Sequence, residues 1–230
     1  TVASAIAAIL VAITVAFFTP LFYYLPKAAL GAIIILAVLP LIDFNAFRQC
    51  WKFNKADALT LFATFFLVLA LGVELGILSG IAISVALLLY RSSQPHIAVV
   101  GRVGDTEQFR NIERHDVSTS SDTIALRVDE SLYFANTRFV EEYILEQCSE
   151  QPQIKHVILI CTAINFIDAS ALETLESLVH NLRGEGVTLH LSDVKGPVMD
   201  QLHSTHFLDT MGDGQVFFTT DAAMRKLAGI

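Results

Sequence analysis

ALTLFATFFLVLALGVELGILSGIAISVALLLY, residues 58–90, decides the class of fold to which this chain belongs. The stretch consists of two apolar runs, 58–73 and 75–90, which are separated only by Glu74. Each run holds 16 residues, slightly fewer than the roughly 20 that a helix needs to cross a bilayer core. Two further apolar runs precede them, at 2–18 and 28–42. Because a chain of this size could not bury four such runs, they predict four membrane-spanning helices.

The charge balance of the chain changes after residue 91. Residues 1–91 carry five basic and three acidic side chains, whereas residues 92–230 carry ten basic and 20 acidic ones together with all seven histidines. We therefore predict two domains, a membrane region at 1–91 and a water-soluble domain at 92–230. The acidic balance excludes a nucleic-acid-binding protein, because there is no basic face to neutralise phosphates.

Cysteine usage and the start of the chain suggest where the protein resides. The three cysteines are too few and too scattered for a disulfide framework, so the soluble part suits a reducing compartment. No basic segment of a signal peptide precedes the first apolar run. Since the chain opens inside that run, we expect further chain upstream of Thr1.

The basic residues predict the orientation of the membrane region. The connector 43–57 carries three basic residues, and Arg91 follows the fourth run, whereas the turn around Glu74 carries none. The positive-inside rule therefore places 43–57 and everything after Arg91 in the cytoplasm and Glu74 on the outer side. Lys27 is the single exception.

Two features of the membrane region bear on mechanism. Glu74 is a candidate membrane-embedded acid for protons or cations, since intramembrane acids are usually functional, but its place at a turn equally fits a structural role. Gly72, Gly76 and Gly80 recur every four residues. This spacing favours either a close approach of two helices or a tight hairpin.

The soluble part alternates between strand and helix patterns. Helices are predicted from about residue 136 to Pro152, from about 170 to 184, near 197–204 and from Thr220, and 113–122 is predicted to be a mobile loop. Strands are predicted at 96–100, 123–128, 155–161, 187–191 and 215–218. Such alternation predicts an α/β layer with helices packed on a small sheet.

Asp168 and Ser170 lie at a predicted strand-to-helix turn. The pattern Ser170-x-x-Glu173 matches a capping box, in which the serine oxygen accepts a hydrogen bond from the first helical turn. The same turn would expose a serine where helix-terminal amides favour a phosphate or another anion. Both interpretations stand, and Asp168 and Ser170 are therefore the candidate regulatory turn.

Neither a catalytic site nor a metal site is predicted. His180 lies on the same predicted helix as Ser170 but more than two turns away, and no nucleophile elbow surrounds the serine. His203 and His206 have helical spacing for a metal pair, yet no cysteine or carboxylate ligands of zinc-site type accompany them. We expect no enzymatic activity, no metal and no cofactor.

Several stretches together resemble the SulP family of anion transporters, the sulfate permeases. In the membrane part these are LPKAALGAII at 25–34, Asp57 and GVELG at 72–76, which resemble the last membrane helices of the family. In the soluble part they are VDESLYFAN at 128–136, NFIDASAL at 165–172 and VKGPV at 194–198, which resemble the STAS domain that ends those proteins. Their order along the chain is more specific than any one of them.

The resemblance implies a fold and an activity. The fold would be α-helical transmembrane segments at the end of a transporter with two inverted repeats of seven helices, followed by an α/β STAS domain. The four runs would be the last four helices, mostly of the gate domain. The activity would be secondary active transport of sulfate, bicarbonate or a dicarboxylate, by H⁺ or Na⁺ coupling or by anion exchange. The family's anion site lies between two half-helix N-termini, which we expect upstream of Thr1, so no substrate ligand is assigned.

The resemblance also implies partners and a location. We expect a homodimer in the bacterial inner membrane, with a cytoplasmic STAS domain that is regulatory or structural and docks a protein partner. STAS domains of anti-sigma-factor antagonists are phosphorylated in an Asp-x-Ser-Gly turn, and Asp168-Ala-Ser-Ala171 keeps the Asp and Ser but not the Gly. The alternative is a membrane-anchored STAS signalling or partner-binding module that does not transport.

Overall fold

The structure, a computed structural model, describes residues 2–22, 26–41 and 43–229. Thr1 and Leu25, which entered the predictions above, lie outside these residues. The described chain forms two compact units, of which the first ends at Ile81 and the second begins at Ala82.

The first unit is helical. Its helices are α1 (Val2–Phe22), α2 (Lys27–Val38, followed by a 3₁₀ turn at Leu39–Leu41), α3 (Phe44–Phe53), α4 (Lys55–Leu71) and the first part of α5 (Val73–Ser93). Helices α1 and α5 are long and apolar enough to cross a membrane. Helices α2 and α4 also coincide with predicted runs, but they have only 12 and 17 residues. Their crossing of the bilayer therefore stays a prediction.

Helix α3 was not predicted, because its charged residues suggested a connector. Asp43 caps this helix, since its carboxylate accepts hydrogen bonds from the Asn45 and Ala46 amides. Asn54 in turn caps α4 by accepting from the Ala56 amide. With these two caps, the segment 43–57 forms the short helix α3 and the first turn of α4.

Helices α4 and α5 form a close hairpin. A Cβ atom added at Gly76 would clash with Val68 Cα, and one added at Gly80 would lie 2.6 Å from the Thr64 side chain. Gly72 joins the two helices with a φ of +87°, which a residue with a side chain rarely adopts. Both interpretations of the glycine spacing are therefore correct: Gly72 makes the turn, and the other two permit close approach.

The second unit contains a six-stranded mixed sheet in the order β2-β1-β3-β4-β5-β6. Strand β1 pairs antiparallel with β2 and β3, and the strands from β3 to β6 are parallel. The strands are β1 (Ile97–Arg102), β2 (Phe109–Asn111), β3 (Thr123–Val128), β4 (His156–Ile160), β5 (Thr188–Ser192) and β6 (Val216–Phe217). The five predicted strands are thus present, and β2 is an additional one.

Helices cover both faces of this sheet. They are α6 (Thr137–Glu150), α7 (Ala169–Gly184), α8 (Gly196–His203), the short α9 (Phe207–Thr210) and α10 (Thr220–Ala228). The larger core lies between one face and helices α6 to α9, with Leu126, Leu159 and Leu191 on the strands. A smaller core lies on the other face, where Ile158 and Ala125 contact Met224 of α10. Alternation along the strands supplies both cores, as the predicted α/β layer requires.

Candidate functional site

The loops that follow β3 and β4 meet at one edge of the sheet. Because β3 and β4 are parallel, their carboxyl ends point the same way. The loops then pair with each other: Leu132 and Ile167 form an isolated parallel bridge. Within it the Leu132 amide donates to the Phe166 carbonyl at 3.3 Å, and the Asp168 amide donates to the Leu132 carbonyl at 3.2 Å. This pairing brings two of the resemblance stretches, 128–136 and 165–172, side by side.

Asn136 fixes the shape of the first loop. Its side chain is fully buried. The side-chain oxygen accepts from the Tyr133 amide at 3.0 Å, and the side-chain nitrogen donates to the Ser131 carbonyl at 2.8 Å. A buried amide whose donor and acceptor are both used holds one loop conformation, because either bond lost would leave a polar group unpaired.

Asp168 joins the second loop to the first and caps α7. One carboxylate oxygen accepts from the Ala171 amide at 2.8 Å, and the other accepts from the Phe134 amide at 2.9 Å. Helix α7 therefore begins after Asp168, and Asp168 is its N-cap residue. The prediction that Ser170 caps this helix is wrong, because Ser170 already lies in the first turn.

Ser170 is exposed near the start of α7. Its hydroxyl makes no hydrogen bond with any residue in the described part of the chain, while its carbonyl accepts from the Thr174 hydroxyl. The amides of the first helical turn carry partial positive charge, which favours an anion here. The exposed hydroxyl is accessible to a modifying enzyme, and phosphorylation of Ser170 stays a prediction.

Lys195 brings the third resemblance stretch to the same edge. Its ammonium group donates to the Asn165 side-chain oxygen at 2.7 Å, and the Asn165 amide donates to the Ser131 hydroxyl at 3.1 Å. Residues 194–198, 165–172 and 128–136 are therefore joined in one hydrogen-bonded chain. Lys195 and Asn165 were not predicted as site residues, although parallel strands predict that loops at their carboxyl ends meet.

Aromatic side chains surround this edge. Tyr133 stacks on Phe166 with ring centroids 6.0 Å apart, and it also contacts Phe134 at 5.9 Å. Phe134 and Phe166 remain 69% and 47% exposed. The Tyr133 hydroxyl shares a hydrogen bond with the Ser92 hydroxyl in the last turn of α5. The first loop thus contacts both the candidate regulatory turn and the helix that leads into the domain.

The other candidate residue, Glu74, lies apart from this edge. It occupies the first turn of α5, two residues after Gly72, and it is exposed. That position is the turn predicted from the sequence, and its role as a membrane-embedded acid stays a prediction. Among the residues that the structure describes, there is no group of three or more His, Cys, Asp or Glu side chains that could hold a metal ion.

Comparison with known proteins assigns a family to each part of the chain. The sulfate permease family model matches residues 1–64, and the STAS domain model matches residues 114–223. Sulfate transporter 1.3 from Arabidopsis thaliana is 34% identical over 97% of this chain. High affinity sulfate transporter 2 from Stylosanthes hamata is 32% identical over the same share.

A solved structure shows the same fold. The murine Solute Carrier 26 family member A9 anion transporter superimposes on 97% of this chain with a TM-score of 0.77 at 20% identity. This match confirms the predicted fold class, in which helical membrane segments precede an α/β STAS domain. The chain spans 36% of the Arabidopsis relative, 35% of the Stylosanthes relative and 37% of the murine chain.

The two matched segments follow one another in the order that the sequence motifs predicted, and together they cover most of the chain. The sulfate transporters match across both segments. Residues 1–64 therefore match the sulfate permease family and residues 114–223 match the STAS domain, and the chain as a whole is similar to sulfate transporters in which the two are joined.

Proposed function

We propose that this chain is part of a secondary active transporter of small anions, with sulfate as the principal substrate. The observation that supports this most is the similarity of 97% of the chain to proteins named as sulfate transporters. Bicarbonate and dicarboxylates are the alternative substrates, moved with H⁺ or Na⁺ or in exchange for another anion. Because these relatives are transporters, the prediction that the chain is not an enzyme is consistent with them.

The same proposal includes a location and an assembly. The transporter resides in the bacterial inner membrane as a homodimer, with several helices of 1–91 in the bilayer and residues 92–230 in the cytoplasm. The basic residues of 43–57 and Arg91 support this orientation. The anion binds upstream of Thr1, where the half-helices of the family are expected.

Uptake by the full-length protein tests the transport proposal. In proteoliposomes, radiolabelled sulfate should accumulate above protein-free vesicles and should be reduced by excess unlabelled sulfate. Imposed H⁺, Na⁺ and internal-anion gradients identify the coupling, because only the coupled species should change the initial rate. If sulfate, bicarbonate and a dicarboxylate all fail to enter under every gradient, the transport proposal is wrong.

The STAS domain is proposed to regulate transport through the loop after β3. The hydrogen bond between Tyr133 and Ser92 supports this, because it connects that loop to the last turn of α5. Tyr133→Phe removes the hydroxyl but keeps the ring stacked on Phe166, and it should change the transport rate. Tyr143→Phe on α6 is the matched control. An unchanged rate in Tyr133→Phe would contradict this route.

A signalling module without transport is the second candidate, and the exposed Ser170 hydroxyl at the start of α7 favours it. A phosphate on Ser170 should appear as an added mass in the native protein and should change binding of a cytoplasmic partner. Ser177→Ala, an exposed serine in the middle of the same helix, should leave that binding unchanged. Modification of Ser170 together with absent transport would favour this candidate.

A further inference from the structure

Helix α3 presents an aromatic side to α4. Phe47 and Trp51 lie one turn apart on α3, with ring centroids 6.0 Å from each other. Phe47 also lies 6.0 Å from the Phe62 ring of α4. Phe62 in turn packs against Phe66 at 4.6 Å. These rings line one continuous surface along the junction of the two helices.

This surface forms an open groove of about 500 Å³, lined by Phe47, Arg48, Trp51, Leu59 and Phe62. Trp51, Leu59 and Phe62 remain 51%, 63% and 47% exposed there. The volume falls within the range of about 300–1,000 Å³ that is usual for sites binding small molecules. Four of the five lining residues are apolar, so the groove fits a hydrocarbon ligand.

Arg48 supplies the charge at this groove. It is exposed and forms no ion pair with a residue in ranges 2–22, 26–41 and 43–229. The nearby Asp43 carboxylate is already used to cap α3 through two backbone amides. Guanidinium groups bind phosphate in a bidentate manner. The groove therefore combines an apolar wall with a cation that fits a phosphate.

The position of α3 in the chain indicates where such a ligand comes from. The helix lies between α2 and α4, two apolar helices of the membrane region, and its basic residues Arg48 and Lys52 accompany its aromatic side. Aromatic and basic residues are both enriched where helices meet the membrane surface. Phospholipid is the ligand class that offers both an acyl chain and a phosphate at that depth.

We propose that an anionic phospholipid binds in this groove, with its acyl chain against Trp51 and Phe62 and its headgroup phosphate on Arg48. The proposal is independent of which anion is transported. It explains why exposed aromatic residues and an arginine without an ion pair among the described residues share one surface.

Trp51 provides a direct probe, since it is the only tryptophan among the 230 residues. The full-length protein, with any tryptophan outside these 230 residues replaced by phenylalanine, is reconstituted in vesicles. In these vesicles either phosphatidylglycerol or phosphatidylcholine carries brominated acyl chains, which quench tryptophan fluorescence on contact. Brominated phosphatidylglycerol should quench Trp51 at a mole fraction about fivefold lower than brominated phosphatidylcholine, the preference expected from one basic residue at an anionic surface.

Variants separate headgroup recognition from general contact with lipid. Arg48→Gln should abolish the preference for phosphatidylglycerol, whereas Arg48→Lys should keep most of it. Lys52→Gln removes the same charge from the same helix outside the groove and should keep the preference. Millimolar inorganic phosphate should leave the quenching unchanged.

Three results would overturn the proposal. Equal quenching by the two brominated lipids would exclude recognition of the headgroup. Absence of quenching would exclude an acyl chain next to Trp51. Reversal of the preference by inorganic phosphate would assign the arginine to a soluble anion instead of a lipid.

Discussion

At the scale of single residues, Asp168 has the greatest structural effect at the candidate regulatory turn. It caps α7 and also holds the Phe134 amide of the neighbouring loop. Asp168→Ala should destabilise the STAS domain by about 2 kcal/mol, because a helix cap and a charge-assisted hydrogen bond are lost together. Faster hydrogen exchange in peptides of α7 and of residues 129–136 measures this.

Ser170→Ala is the matched control for that prediction. Its hydroxyl is exposed and does not cap the helix, so the free energy of unfolding should change by less than about 0.5 kcal/mol. If Ser170→Ala destabilises α7 as much as Asp168→Ala does, the assignment of the cap to Asp168 is wrong.

The buried His190, which contacts the partly exposed His156, makes the stability of the domain depend on pH. His190 Nδ1 accepts from the Gln215 amide at 3.1 Å, so its proton is on Nε2, which lies 3.2 Å from His156 Nδ1. Burial, together with the smaller effects of the neighbouring His156 and Lys226 charges, lowers the pKa of His190 from 6.5 to about 4. Since the unfolded chain binds this proton at higher pH, stability should be complete above about 6.5 and should fall as the pH drops toward 4.

Unfolding midpoints measured between pH 4 and 8 test this dependence. His190→Gln should lower the midpoint overall and should also flatten its decline between pH 6.5 and 4. His180→Gln, an exposed residue on α7, should leave the profile unchanged. An identical decline in wild type and His190→Gln would show that other groups cause the acid sensitivity.

Sequence reasoning was limited at this scale by neighbouring residues of similar chemistry. Asp168 and Ser170 are both good N-cap residues, and their order alone does not show which one lies just outside the helix. The hydrogen bonds of Asn136 and Lys195 at this site could not be predicted from the neighbouring sequence, because the loops that they join are distant in the chain. Their roles depend on the pairing of two loops, which follows from the sheet.

At the scale of elements, the α4–α5 hairpin depends on two glycines in different ways. Gly76→Ala should strongly destabilise the hairpin, because the new Cβ would meet the Val68 backbone, which a substitution cannot remove. Gly80→Ala should also destabilise it, but Thr64→Ala should partly restore it, because there the clash is with the Thr64 side chain. Thermal unfolding in detergent measures both effects.

Gly31→Ala is the control for the hairpin. Nothing lies within 4 Å of an added Cβ at this position of α2, and alanine is the better helix former. This variant should be as stable as wild type or slightly more stable. If Thr64→Ala fails to improve Gly80→Ala, the helices do not approach at this point.

Long periodic elements were predicted well, and short ones were not. The apolar residues at helical spacing on α6 and α7 predicted which side chains are buried, since Val140, Ile144, Leu175 and Leu182 are all buried. Strand β2 and helix α9 have three and four residues, which is too short for a period to show. Helix α3 was not predicted, because basic residues interrupt the spacing of its aromatic residues.

At the scale of the whole molecule, labelling of the three free cysteines can test how the chain is oriented in the membrane. Cys148 and Cys161 are buried, and burial raises the pKa of their thiols to about 11 and about 12. Cys50 on α3 is partly exposed. Because thiolates are the reactive form, a membrane-impermeant maleimide should label Cys50 alone in the folded chain.

The side from which Cys50 reacts tests the proposed orientation. Labelling should occur in inverted membrane vesicles and not in right-side-out ones, because the basic connector 43–57 is expected in the cytoplasm. Cys50→Ser should abolish the signal. Labelling from the outer side would reverse the orientation and place the STAS domain outside.

The order of strands in the sheet has a consequence for biogenesis. Three residues separate α5 from β1, and β1 pairs with β2 and β3, the next two strands to be synthesised. Strands β4, β5 and β6 are then each added beside the strand made just before. The domain can therefore assemble strand by strand as it leaves the ribosome, while α5 is being inserted, because no strand waits for a distant partner.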